Sequence, residues 1–162
     1  MLYLLDANTL IRADADYYPL DRIPQFWDWL VAEGVADRVK VPLEIYEEVS
    51  RGRGDLPEWL SEKSVQEALI LDEEVEAANL QDVIDEGYAP DLNDAELEQI
   101  GADPFLVAYA IPGHGQRVVV TREVSKPRAQ RQNRKVPDVC TQFGVRWVTD
   151  FVFYRELDFR IR

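Results

Sequence analysis

The sequence predicts an α/β fold, a small parallel β-sheet flanked by α-helices on both faces. Two observations carry that expectation. Short, wholly apolar runs alternate along the chain with longer segments whose apolar residues recur at helical spacing. Strands joined through helices lie parallel, and right-handed crossovers then cover both faces of the sheet. The length of 162 residues suits one compact domain, 1–162, able to bury a core without disulfide or metal staples.

Residues 2–5 are too short for a helix, all apolar and closed by a polar turn, which reads as a buried strand. Asp6 sits at its carboxyl end. The next helix is expected over 24–33, opened by Pro24, filled by Phe26, Trp27, Trp29, Leu30 and Val31, and stopped by Gly34. Val39-Lys40-Val41 reads as a short strand, and Pro42 then starts a helix over 43–50 that ends near Gly52. From Asp55 to Gly101, apolar residues such as Leu69, Val75, Leu80 and Val83 recur at helical spacing. Several helices are expected there, with a short strand over 68–71. Asn93 looks like an N-cap, Gly101 breaks the following turn, and Asp103-Pro104 opens a helix reaching residue 110. Residues 117–121 form the clearest strand after the first and 145–149 the last, separated by a basic loop and a helix over 137–143.

Several classes fall away. No apolar run approaches the ~20 residues of a membrane helix, so no membrane partner is expected. The opening run is broken by Asp6 and has no basic residue ahead of it, unlike a secretory signal, so a cytoplasmic location is expected. Cys140 is the single cysteine and reads as a small core residue. His114, the one histidine, cannot build a zinc site alone and has no serine motif to serve, so it is assigned no role. Arg51-Gly52-Arg53-Gly54 lacks the strand and helix of a phosphate-binding loop.

A net charge of -13 argues at first against a nucleic-acid partner. The total conceals a division. Residues 1–54 carry a net -4, residues 55–103 a net -15 from 16 acids and one base, and residues 104–162 a net +6. Within that last third, Arg122, Lys126, Arg128, Arg131, Arg134 and Lys135 fall inside fourteen residues, interrupted by the acid Glu123. The stretch suits phosphate binding, and it equally suits a solvated basic loop.

Four acids stand where elements begin or end. Asp6 follows the first strand and fits either a helix cap or a metal ligand, with Asn8 placed to orient it and Thr9 to donate a hydroxyl. On the 43–50 helix, a rotation of ~100° per residue sets Glu48 beside the apolar face and turns Glu47 away, while Glu44, one turn earlier, remains a rival. Asp103 fits an N-cap and is also free to reach a cation with its second oxygen. Glu123 leaves the strand of residues 117–121, with Thr121 able to add a hydroxyl; its alternative is a loop charge paired with Arg122 or Lys126. Sites in parallel sheets form beyond the carboxyl ends of the strands, which brings Asp6 and Glu123 to one edge if their strands are neighbours. Gathered carboxylates repel unless a cation neutralises them, and oxygen donors without soft ligands point to Mg2+ or Mn2+. Phosphodiester hydrolysis by metal-activated water is the reaction that such equipment suits.

Leu4-Leu5-Asp6-Ala7-Asn8, Tyr46-Glu47-Glu48-Val49, Ala102-Asp103-Pro104-Phe105-Leu106-Val107-Ala108 and Val119-Val120-Thr121-Arg122-Glu123 together resemble the motifs of PIN-domain ribonucleases. Lys135-Val136-Pro137-Asp138-Val139-Cys140 and Phe143-Gly144-Val145 resemble a toxin-like branch related to VapC toxins. The resemblance implies a PIN-like fold that cleaves RNA as an endonuclease, with Mg2+ or Mn2+ held by the catalytic acids Asp6, Glu48, Asp103 and Glu123. By the same pattern Asn8 and Thr121 support the site, although aspartate is more usual in the place of Glu123. Relatives of the toxin type work with an antitoxin, so an antitoxin and a homodimer are the partners implied beside RNA. Two other readings compete. The opening also resembles haloacid-dehalogenase-like phosphatases, but those need an acid where this chain has Asn8. A catalytically inactive PIN-like module could instead bind a basic partner through its acidic middle.

Overall fold

The computed structural model describes residues 1–113 and 115–162, so the expectation for His114 lies outside the described residues. The chain opens with β1 (Leu2–Leu5), α1 (Ala7–Arg12) and a π-helical turn (Ala13–Tyr17), then α2 (Pro24–Val35), β2 (Val39–Lys40) and α3 (Leu43–Ser50). The acidic middle folds as α4 (Asp55–Leu60), α5 (Lys63–Leu69), α6 (Ala77–Asp82), a second π-helical turn (Val83–Tyr88) and α7 (Asp94–Ile100). After it come α8 (Asp103–Ala110), β3 (Arg117–Val120), α9 (Val136–Gln142), β4 (Arg146–Val148) and α10 (Asp150–Glu156). This is the expected α/β fold. None of the described helices is long and apolar enough to cross a membrane.

The four strands are all parallel, in the order β2-β1-β3-β4. From β1 the chain moves to one side to make β2, then crosses back to make β3 and continues outward to β4. Right-handed crossovers in opposite directions put their helices on opposite faces. Packing agrees: rings of α2 meet rings of α10, as in Phe26 with Tyr154 and Trp29 with Phe153, whereas α8 packs against β1, β3 and α9. Side chains alternate between faces along a strand, and Val118, Val119 and Val120 are all fully buried, so both faces are covered. One continuous apolar cluster joins the sheet to its helices.

Local signals explain most boundaries. Proline starts α2, and Asn93 and Glu96 form a reciprocal capping box that starts α7, each side chain accepting from the other residue's backbone N–H. Gly101, at φ +52°, ends α7 as its glycine predicted. Three expectations need correction. Gly34 lies inside α2 and does not stop it; a Cβ there would fall 2.5 Å from the Ala68 carbonyl oxygen, so the missing side chain permits close packing on α5. The strand expected over 68–71 is a single parallel bridge between Ile70 and Val41, because α5 runs through Leu69. After β4, Thr149 accepts the Val152 N–H and starts α10, a helix not foreseen from the sequence.

Candidate functional site

The strand order reverses beside β1, and in open parallel sheets the crevice beyond the carboxyl ends at such a point is where ligands bind. Here that crevice is a cleft of about 590 Å³, lined by Asp6 and Asn8 after β1, Glu44, Glu47 and Glu48 of α3, Glu98 of α7, Asp103 of α8 and Glu123 after β3. Seven carboxylates face it with one base, Arg51. The topology thus brings Asp6, Glu48, Asp103 and Glu123 to one place from four separate segments.

Asp6 is 4% exposed and held by hydrogen bonds to both oxygens. Its Oδ1 accepts the Thr9 backbone N–H at 2.7 Å and the Thr9 hydroxyl at 2.6 Å, which caps α1, while Oδ2 accepts the Arg122 backbone N–H at 3.3 Å. One carboxylate therefore caps a helix and ties the end of β1 to the end of β3. Burial pushes its pKa up, and the hydroxyls of Thr9 and Thr121 with the two backbone N–H groups oppose that rise.

Asp103 departs from expectation. Ala102, not Asp103, takes the N-cap position, with φ -86° and ψ -2°, and Asp103 is the first helical residue with no cap hydrogen bond. The left-handed turn at Gly101 brings the boundary forward by one residue and frees the carboxylate. Partly buried, Asp103 has its pKa pushed up to about 8, first by burial and then by the charges of Glu123, Asp6 and Glu48, with Lys135 opposing. A carboxyl so perturbed in a cleft marks a candidate functional group.

The rivals on α3 separate by their partners. Glu44 accepts the Tyr109 hydroxyl at 2.6 and 3.2 Å, and burial and then this carboxylate push the Tyr109 pKa up. Glu48 is exposed at the cleft, its Oε2 3.6 Å from where a Gly101 side chain would begin, so it faces the turn leading into Asp103. Glu123 pairs with neither Arg122 nor Lys126; its Oε2 accepts the Val136 N–H at 2.6 Å, and its own N–H donates to Thr121 Oγ1 at 3.1 Å. Burial raises its pKa, while Val136 and Lys135 pull against that. Asn8 is exposed on the cleft wall and makes no hydrogen bond to Asp6 among the described residues. No three Asp, Glu, His or Cys side chains among the described residues stand close enough, as placed, to hold a metal ion.

The basic stretch divides. Arg122 pairs with buried Asp150 at 2.8 Å. Arg131 grips Glu96 and Asp91 at 3.0 and 2.7 Å, and Arg134 donates to the Gly87 carbonyl and Gln142. Lys126 and Arg128 are exposed and form no ion pair among the described residues. Lys135 sits where its charge reaches both Asp103 and Glu123. Sequence reading misses three residues at or beside the site and misplaces a fourth. Arg51 and Glu98 join the lining, and so does Glu47, against the expectation that it turns away. Tyr88, near Asp103 and Glu123, is a buried phenol with no hydrogen-bond partner among the described residues; burial and then the charges of those two acids push its pKa up. Nothing in the sequence marks Arg51, Glu98 or Tyr88, because their places depend on contacts between distant segments.

Fold and site together define a parallel α/β protein with an acidic cleft at the carboxyl edge of its sheet. The chain matches the family described as "Domain of unknown function (DUF4411)" over residues 3–161, and it belongs to that family. No curated protein matches it.

Proposed function

We propose that this protein is a Mg2+- or Mn2+-dependent endoribonuclease of the PIN type. The observation that carries the reading is the convergence of Asp6, Glu48, Asp103 and Glu123 from four separate segments on one cleft, where burial and mutual charge push the Asp103 carboxyl up. Such a cleft holds more negative charge than its surroundings balance, and a divalent cation is what relieves it. Oxygen-only donors suit a hard ion. Asp6, Glu48, Asp103 and Glu123 would hold it once their side chains turn further into the cleft, and Glu48, exposed on its helix, has the rotamer freedom to do so. Bound there, the ion would acidify a water and stabilise charge on a phosphoryl oxygen. The residues themselves orient the donors: Thr9 and the Arg122 N–H fix Asp6, and the Val136 N–H fixes Glu123.

RNA is the proposed substrate, with Lys126 and Arg128 exposed cations of the basic loop that follows Glu123. The likeness to toxin-type sequences extends the proposal to an antitoxin covering the cleft, to a homodimer and to a cytoplasmic location. Calorimetric titration with Mn2+, together with an RNA cleavage assay, tests the reading on wild type and Asp6→Asn. Metal binding and cleavage that both fall in the variant support it. Wild type that neither binds Mn2+ nor cleaves RNA would favour an inactive interaction module instead.

A further inference from the structure

Among the described residues, three of the four buried polar side-chain atoms without a partner gather at one place: Arg122 Nε, Asp150 Oδ2 and the Tyr154 hydroxyl. Asp150 is completely buried. Its Oδ1 accepts from Arg122 at 2.8 Å and from the Phe151 backbone N–H at 2.8 Å. The Arg122 guanidinium also lies over the rings of Tyr17 and Phe151, at 5.7 and 5.3 Å from their centroids. An ion pair whose carboxylate is wholly buried and whose guanidinium is partly buried, with unsatisfied atoms on both, is a poor source of stability, since well-packed apolar residues often do as well or better. Its presence calls for a purpose that stability does not supply.

The purpose is legible in the backbone of Arg122. That residue's N–H donates to Asp6 Oδ2, and its neighbours Thr121 and Glu123 belong to the same turn, where the Glu123 N–H donates to Thr121 Oγ1. The side chain of Arg122 does not line the cleft and is anchored by Asp150 at the start of α10. We infer that Asp150 is a positioning residue for the acidic cleft, holding Arg122 so that its backbone N–H orients Asp6 and the turn presents Glu123. The inference rests on the reading of the cleft as a cation site, but the orientation of Asp6 can be measured separately.

The test uses the full chain and two variants. Asp150→Ala strands a partly buried arginine and risks unfolding, so the second variant, Arg122→Met combined with Asp150→Leu, removes both charges and keeps the volume apolar. For each, amide hydrogen exchange at position 122 is followed by NMR and Mn2+ affinity by calorimetry, with the thermal midpoint as a check on folding. The expected result in the double variant is an unchanged thermal midpoint, exchange at position 122 faster by about 3- to 10-fold, and Mn2+ affinity lower by about 10-fold. Asp150→Asn, which keeps an acceptor for Arg122, is expected to recover most of both. Unchanged protection at position 122 in a folded double variant would overturn the inference. Wild type that binds no Mn2+ would sink the cation reading while leaving the amide measurement to decide the positioning role.

Discussion

Replacing Asp103 with asparagine should make the metal-free protein more stable. In the folded state this carboxyl is pushed from an ordinary 3.8 to about 8, so between those values the native protein holds a proton that the unfolded chain has lost. Stability therefore falls as pH rises from the unfolded value towards the folded one, and levels off above it. At pH 7 the interval is a little over 3 pH units; at about 1.4 kcal/mol each, the ceiling on the penalty is ~4 kcal/mol. Solvent at the open cleft and repulsion shared among several acids reduce this, and about 2 kcal/mol is the working figure. Asparagine keeps the shape and cannot ionise. Urea unfolding with a chelator present, at several values between about pH 4 and pH 9, should show equal stabilities at the acid end and a gap opening to ~2 kcal/mol, or roughly 4–8 °C in Tm. A variant that is less stable at neutral pH, or a gap that does not change with pH, would refute the reasoning.

Other outcomes follow from particular interactions. Glu48→Gln should weaken Mn2+ binding strongly, by about 10-fold or more, while Glu44→Gln, whose partner is the Tyr109 hydroxyl, should change it little; calorimetry on both distinguishes them. Lys126→Ala with Arg128→Ala should flatten the salt dependence of RNA binding by about 0.7 in slope for each phosphate that these side chains neutralise. Arg131→Ala should leave that slope nearly unchanged, because Asp91 and Glu96 already hold this guanidinium. Gly34→Ala should cost about 1–3 kcal/mol in denaturant unfolding, since the added methyl meets the Ala68 carbonyl.

What the sequence discloses, and what it withholds, follows from the range of the forces involved. β1, β3 and α3 are legible because an unbroken apolar run or a helical period is a local property, as is the start of α7, where Asn93 and Glu96 sit three residues apart. Asp6, Glu48, Asp103 and Glu123 stand out because each lies at an element end or beside an apolar face. Their common cleft cannot be read directly; it depends on β1 and β3 being neighbours. Gly34 looks like a stop signal in the sequence, because its close approach to Ala68 joins residues far apart in the chain. The basic run is visible as charge, whereas the capture of Arg122 by Asp150 and of Arg131 by Asp91 and Glu96 is tertiary and invisible to composition. Asp103 shows the same limit at short range: Asp-Pro favours a cap, and the turn at Gly101 overrides it.

The central claim is that four carboxylates from separate segments share one hard cation. Anomalous diffraction from a crystal soaked in Mn2+ tests it most directly. The account predicts a peak in the cleft with oxygens of Asp6 and Asp103 among its ligands and Glu48 or Glu123 completing the set, directly or through water. A cleft without a peak, or a peak bound only by Glu44 and Glu47, would contradict it.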